Sequence, residues 1–407
     1  MENWIVEMPR KNLLILPLLL FSIPFGVAAH NFIAVIVLLI MASSPSLTER
    51  KFSKEFGAVI LLPMALCLWT MLSTAINGQN PEDKISHYLF GYLPISLLPF
   101  MAFRHLKNPA EQCKKLVTLT CVFSCLWALV VLSQSIWGWS LKNMQGGVDF
   151  RPFGFYSHPL TLAYAALVAW PWALNRLLSH KQDVRSWLLT AAIGSILYFT
   201  HSRSCQAIAL VILTWNLFVQ LKGRQRALVL LLLAASVVTV AVTDNHVSHR
   251  FKVLISSENP DRFSEYPDDR VAFWHAHWEM VKERPLLGHG MHLNQAYREP
   301  FYKYIGLEDF VKKYEAHNQY LQVASNAGFI GLAIYLIWLV SLWLYSKTLN
   351  QFIARPFQQM LVAFCLGSLF QNAYYDSEVR HILMCIIIFT LIAQRTQEDQ
   401  GSLSSPN

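Results

Sequence analysis

Residues 116–137 read LVTLTCVFSCLWALVVLSQSIW, 22 positions without one charged side chain. A helix crossing the hydrocarbon core of a bilayer needs about 20 mostly apolar residues at about 1.5 Å rise each. A surface helix of a soluble protein carries a polar, charged stripe, and this segment has none. It predicts a membrane-crossing helix, with Lys114 and Lys115 at one end. The same reading recurs at residues 13–29, 30–44, 57–76, 87–103, 158–176, 186–201, 204–221, 225–243, 327–346, 356–373 and 380–395, making twelve spans. Pro17 and Pro24 interrupt the first, and only His30-Asn31 separates it from the second.

Composition agrees with that reading. Of 407 residues, 54% are hydrophobic and 14% charged, where a soluble domain carries roughly 25% charge. Mean hydropathy is +0.35. Disorder, collagen, coiled coil and disulfide scaffold are excluded. The cysteines at 67, 113, 121, 125, 205, 365 and 385 lie in or beside apolar segments, so neither a disulfide framework nor a cysteine zinc site is expected. Arg10 and Lys11 precede the first apolar run without a small-residue cleavage site after it, which predicts a retained helix rather than a signal peptide.

Lysine and arginine orient the spans. With the N-terminus in the cytoplasm, 18 of the 33 basic residues fall in cytoplasmic segments, five in short outer loops and ten in one long outer loop. Both ends are then cytoplasmic. The expected organisation is residues 1–243 with nine spans, a periplasmic loop at 244–326, three more spans in 327–395 and a cytoplasmic tail at 396–407. The net charge of +8 says little about substrate, because the long loop holds ten basic against twelve acidic residues. Anion binding must rest on a few placed arginines.

A structureless loop of that length would be unusual, so the loop is expected to be partly helical. Asp268 and Asp269 suit a helix start, with Val271, Trp274, Trp278 and Val281 as its apolar face and Pro285, Gly288 and Gly290 ending it. A second helix is expected over residues 316–324, before Asn326-Ala327-Gly328 leads into the tenth span.

Four outer-side residues are candidates for chemistry. Arg203 sits at the tight turn between spans seven and eight, where a charge beside hydrocarbon is costly; snorkelling to lipid phosphates or capping a helix would also place it there. Arg270 heads the amphipathic loop helix, as a solvated or Asp-paired arginine also would. His317 can take a proton near neutral pH, or serve only as a satisfied surface histidine. Asp376 precedes the last span, where capping that helix competes with orienting a base or binding sugar. His275, His277, Glu279, His289 and His292 are too irregularly spaced for a metal motif. No phosphate-binding P-loop, Gly-x-Ser-x-Gly elbow or dinucleotide fingerprint is present, and no internal repeat of the transporter kind.

These residues, in this order, resemble the O-antigen ligase and polymerase superfamily. The resemblance is carried by Arg203 at its turn and by Asp269-Arg270-x3-Trp274. It continues through Pro285-Leu286-Leu287-Gly288-His289-Gly290, His317-Asn318-Gln319-Tyr320-Leu321 and Gly328-Phe329-Ile330-Gly331-Leu332. Arg151-Pro152-Phe153-Gly154 with Ser157-His158-Pro159 is similar to the segment preceding span six in that superfamily. The resemblance implies an all-α polytopic membrane protein of about 12 transmembrane helices, like the membrane-embedded glycosyltransferases. It also implies glycan transfer from undecaprenyl diphosphate on the periplasmic side of the bacterial inner membrane. In the ligase branch the acceptor is a sugar of the lipid A core. His317, Arg270 and Arg203 match catalytic positions, and Asp376, Asn318, Arg151 and His158 fall to substrate binding. No metal, cofactor or nucleic acid is implied, since a diphosphate leaving group carries its own driving force and arginines can offset its charge. A polysaccharide polymerase, a protein O-oligosaccharyltransferase and a lipid-linked glycan transporter are the competing readings.

Overall fold

The computed structural model describes residues 27–42, 54–77, 88–105, 109–139, 151–156, 158–220, 223–224, 270–291, 295–308 and 314–404. Among them no strand occurs. The helices are α1 (Val27–Ala42), α2 (Lys54–Asn77), α3 (Leu93–His105), α4 (Pro109–Trp137), α5 (Pro159–Ser179), α6 (Val184–Phe199), α7 (Arg203–Gln220), α8 (Arg270–Glu283), α9 (Gln295–Tyr304), α10 (Gln319–Ser346), α11 (Gln351–Gly367) and α12 (Ser377–Ser404). A π-helical turn, Tyr88–Tyr92, leads into α3. Apart from α8 and α9, these follow ten of the twelve expected spans; span nine, nearly all of span one, and Asp268 with Asp269 lie outside the described residues.

Among the described residues three helices are long and apolar enough to cross a membrane, over Val59–Asn77, Val117–Trp137 and Gln319–Ser346. Leu126, Leu129, Ile136, Ile337 and Val340 on two of them are exposed. Water would penalise so much bare apolar helix, whereas lipid does not.

Helix α5 lies at the centre and packs against α6, α7, α11 and α12. Its sequence explains that position. His158 caps it, with Nδ1 accepting the Leu160 amide at 3.2 Å, and Pro159 sits where no intrahelical N–H is needed. Residues 161–168 are buried on every side, and the alanines at 163, 165 and 173 allow neighbouring backbones to approach, the device that packs helices in lipid. Deeper down, Gln359 Oε1 accepts from Asn175 at 2.6 Å and from Asn216 at 3.0 Å, joining α5, α7 and α11 through side-chain amides.

Three expectations change. The eleventh span, expected to reach residue 373, ends at Gly367. Residues 368–376 form a loop because the head of α10 supplies its bonding: the Gln319 amide donates to Ser368 O at 2.7 Å, and Gln319 Oε1 accepts from the Tyr374 and Tyr375 amides. The second loop helix starts at Gln319 rather than 316, capped by Asn318, and runs into the tenth span through a break at Gly328 (φ 66°, ψ −174°). Finally, α8 buries Ala272, Phe273, Ala276, His277 and Met280 together with Val281, while Trp278 is exposed. Trp278 is too bulky for the close approach of α8 to α10, which the alanines permit, while Trp274 packs half-buried beside Ala272 and Phe273.

Candidate active site

The first two turns of α5 are the hub of the outer-side candidates. Arg151 precedes them and donates from Nε (3.0 Å) and Nη2 (2.7 Å) to the Thr200 carbonyl, tying its segment to the turn between α6 and α7. That turn is tight enough to hold His201 at φ 51° and presents Arg203, exposed, as the first residue of α7. Burial, and after it the charge of Arg203, lowers the Arg151 pKa, so the two guanidiniums are neighbours. His158, the cap of α5, feels the charges of Arg151 and His317. The arginine turn and His317 are thus within electrostatic reach of one imidazole. Tyr164, two turns into α5, shares a hydroxyl contact of 3.2 Å with Ser204 and feels the Arg270 charge at the start of α8. Thr161 donates to Asp376 Oδ2 at 2.7 Å.

His317 stands just before α10 in the left-handed region, at φ 47°. Few residues other than glycine adopt that conformation, and when they do the surrounding structure must enforce it. Asn318 Oδ1 accepts from the Tyr320 and Leu321 amides at 3.1 Å each, which fixes the chain on one side. The Phe273 ring lies 5.6 Å from the imidazole on the other. Nδ1 lies 3.0 Å from Gln371 Oε1. A carbonyl oxygen only accepts, so Nδ1 carries the proton and Nε2 keeps its lone pair.

Asp376 does not orient that histidine. Burial, then the charge of Glu378, pushes its carboxyl well above the usual range, and its bond goes to Thr161. Its backbone carbonyl begins α12 by accepting the Arg380 amide. Gln371, which sequence reading placed inside a span, is the residue that holds His317. A glutamine followed by an asparagine at the end of an apolar run was the available signal.

Two of the loop histidines, His277 and His289, are structural. Buried His277 donates from Nε2 to Tyr314 O (3.3 Å) and accepts at Nδ1 from Ser325 (2.9 Å); buried His289 joins Met280 O and Tyr297 OH at 2.8 Å each. No group of three or more metal-ligating side chains occurs among the described residues. Burial, and after it the Arg298 charge, holds His277 down to about 3. An unfolded histidine binds its proton below about 6.5, while folded His277 stays neutral until about 3. Stability is therefore expected to fall as the pH drops between those values, by about 1.4 kcal/mol per unit from this one group. Thermal unfolding in detergent at pH 7 and pH 5 should show that loss in the wild type and a flatter dependence in His277→Gln.

The fold and site define a class: an all-helical protein with membrane-length apolar helices, carrying arginines and a positioned histidine at one end of the bundle. Residues 188–336, somewhat over a third of the chain, match the family model described as O-Antigen ligase. The matched segment contains Arg203, Arg270, His317 and Asn318, whereas Arg151, His158, Gln371 and Asp376 lie outside it. No match was found among curated proteins.

Proposed function

We propose that this chain is an O-antigen ligase, transferring O-antigen polysaccharide from undecaprenyl diphosphate to a sugar hydroxyl of the lipid A core. The observation that carries this reading is the hub. One helix end holds His158, Thr161 and Tyr164, and through them meets Arg151, Arg203, Arg270, His317 and Asp376. The arginines stay charged and can grip phosphate oxygens in pairs. Helices α5, α7, α8, α10 and α12 all begin near this hub, and the positive ends of their dipoles favour an anion there.

The acceptor hydroxyl attacks the anomeric carbon from the face opposite the diphosphate, and configuration inverts. The new carbon–oxygen bond forms while the old one breaks, its electrons leaving with the diphosphate. The hydroxyl proton passes to His317 Nε2. Arg203, Arg270 and Arg151 offset the charge that develops on the leaving group. Asp376, whose carboxyl burial and then the Glu378 charge push well above its usual range, is suited to hydrogen-bond sugar. The site faces the periplasm of the inner membrane in this reading, with both termini cytoplasmic.

A chromosomal deletion tests the proposal. Lipopolysaccharide without any O-chain, together with accumulated lipid-linked polymer, is the expected result. A core carrying a single O-unit would make the protein a polymerase instead.

A further inference from the structure

A cavity of about 810 Å³ opens between α4, α5, α6, α11 and α12, near the upper end of the size usual for small-molecule sites. It runs beside α5 from Leu162 to His180, about 27 Å of helix at 1.5 Å per residue. That is close to the depth of a bilayer core. Phe123, Ala166, Ala169, Ile193, Ile386 and Phe389 give it apolar walls. Its mouth lies at the end of α5 away from the candidate active site and carries Arg176, His180 and Arg355.

Two donors near the mouth lack acceptors. Arg176 gives one nitrogen to Asp183 at 2.7 Å, but its Nε is buried without a hydrogen-bond partner. Trp172, one helical turn earlier on the same face, lines the cavity with its Nε1 also buried and unbonded. Buried donors left unmade are costly. Asp183 is shared between Arg176 and Arg185, and Arg355 has no ion pair among the described residues. The mouth therefore keeps a net positive charge and two idle donors above a slot lined by hydrocarbon.

We propose that this cavity binds an anionic glycerophospholipid from the leaflet opposite the candidate active site. An acyl chain lies along the apolar walls, and the phosphate and ester oxygens accept from Arg176, Arg355 and Trp172. Basic pockets between helices recognise anionic head groups in this way. The inference goes beyond the proposed activity and does not depend on it.

Native mass spectrometry of the full-length protein in detergent, with phosphatidylglycerol and phosphatidylethanolamine in competition, is the test. Wild type should retain phosphatidylglycerol with a preference on the order of ten-fold, as surface cations provide. Arg355→Gln should reduce that preference, and Ala169→Phe, which fills the slot, should remove retained lipid while leaving the melting temperature near wild type. Equal retention of the two lipids overturns the proposal. So does an unchanged preference in Arg355→Gln, unchanged retention in Ala169→Phe, or displacement of phosphatidylglycerol by a polyprenyl phosphate at equal concentration.

Discussion

His317→Ala is expected to lower glycan transfer by about 10²–10⁴-fold, the usual contribution of a positioned general base, in protein that still folds and reaches the membrane. The geometry explains why the effect should be this large and confined to the chemical step. His317 is held at φ 47° between Phe273 and the capped head of α10. Gln371 engages Nδ1 at 3.0 Å, which leaves Nε2 as the only lone pair of the ring. Removing the imidazole deletes that acceptor without touching the Asn318 cap. The donor should still bind, because Arg203, Arg270 and Arg151 remain. Gln371 supplies the companion experiment. Gln371→Glu places a carboxylate against Nδ1, which favours imidazolium and raises the His317 pKa. A base must be unprotonated to work, so the acidic limb of the pH–rate profile should move to higher pH. Transfer measured with purified protein, lipid-linked O-antigen and rough lipopolysaccharide checks both. Full activity in His317→Ala would remove it as the base, and an unmoved limb in Gln371→Glu would separate Gln371 from its protonation.

Much of the fold was legible because lipid simplifies the rule. A charge-free run of the right length has few alternatives to a helix, so the ten expected spans on described residues each find a helix. Their ends were less legible. Residues 368–373 are uncharged like the span before them, and they leave the helix because Gln319, some fifty positions earlier, bonds the amides of Tyr374 and Tyr375. No local pattern reports such a partner. Helix α8 was misjudged on its face for a related reason. Large side chains look like core in a sequence, but a helix lying close to α10 buries Ala272, Ala276 and His277 and turns Trp278 out. At the site, the cost of charge beside hydrocarbon pointed to Arg203, whereas Arg270 and His317 stood out chiefly through the family resemblance. Thr161 was silent and Gln371 gave only the polar pair it forms with Asn372, since their parts are set by contacts with Asp376 and His317 rather than by their own chemistry.

Gly328→Ala is expected to cost about 4 kcal/mol of stability, from about 1–3 kcal/mol of backbone strain and a similar amount of overpacking. Gly328 breaks α10 at φ 66°, ψ −174°, a conformation essentially closed to residues with a Cβ. A Cβ there would also collide with the Leu286 carbonyl. The contact is reciprocal, because a Cβ on Gly288 (φ 71°) would meet the backbone of Asn326. Between these glycines the two segments are bonded along their length: His289 N to Ser325 O and Gly290 N to Asn326 O at 2.9 Å, and Phe329 N to Pro285 O at 2.7 Å. Trp69 Nε1 on α2 donates to Ala327 O at 2.8 Å, so the break is fastened to the bundle as well. The glycines therefore set the angle at which the loop leaves the membrane helix, and with it the place of His317 relative to α5. Gly328→Ala should melt well below wild type and lose transfer together with stability. Gly57→Ala makes the control, because Gly57 lies in α2 with nothing near its missing Cβ. There the same substitution removes only the helix penalty of glycine, so stability should stay level or rise by up to about 1 kcal/mol. Equal melting temperatures for the two variants would sink the claim that the break requires glycine.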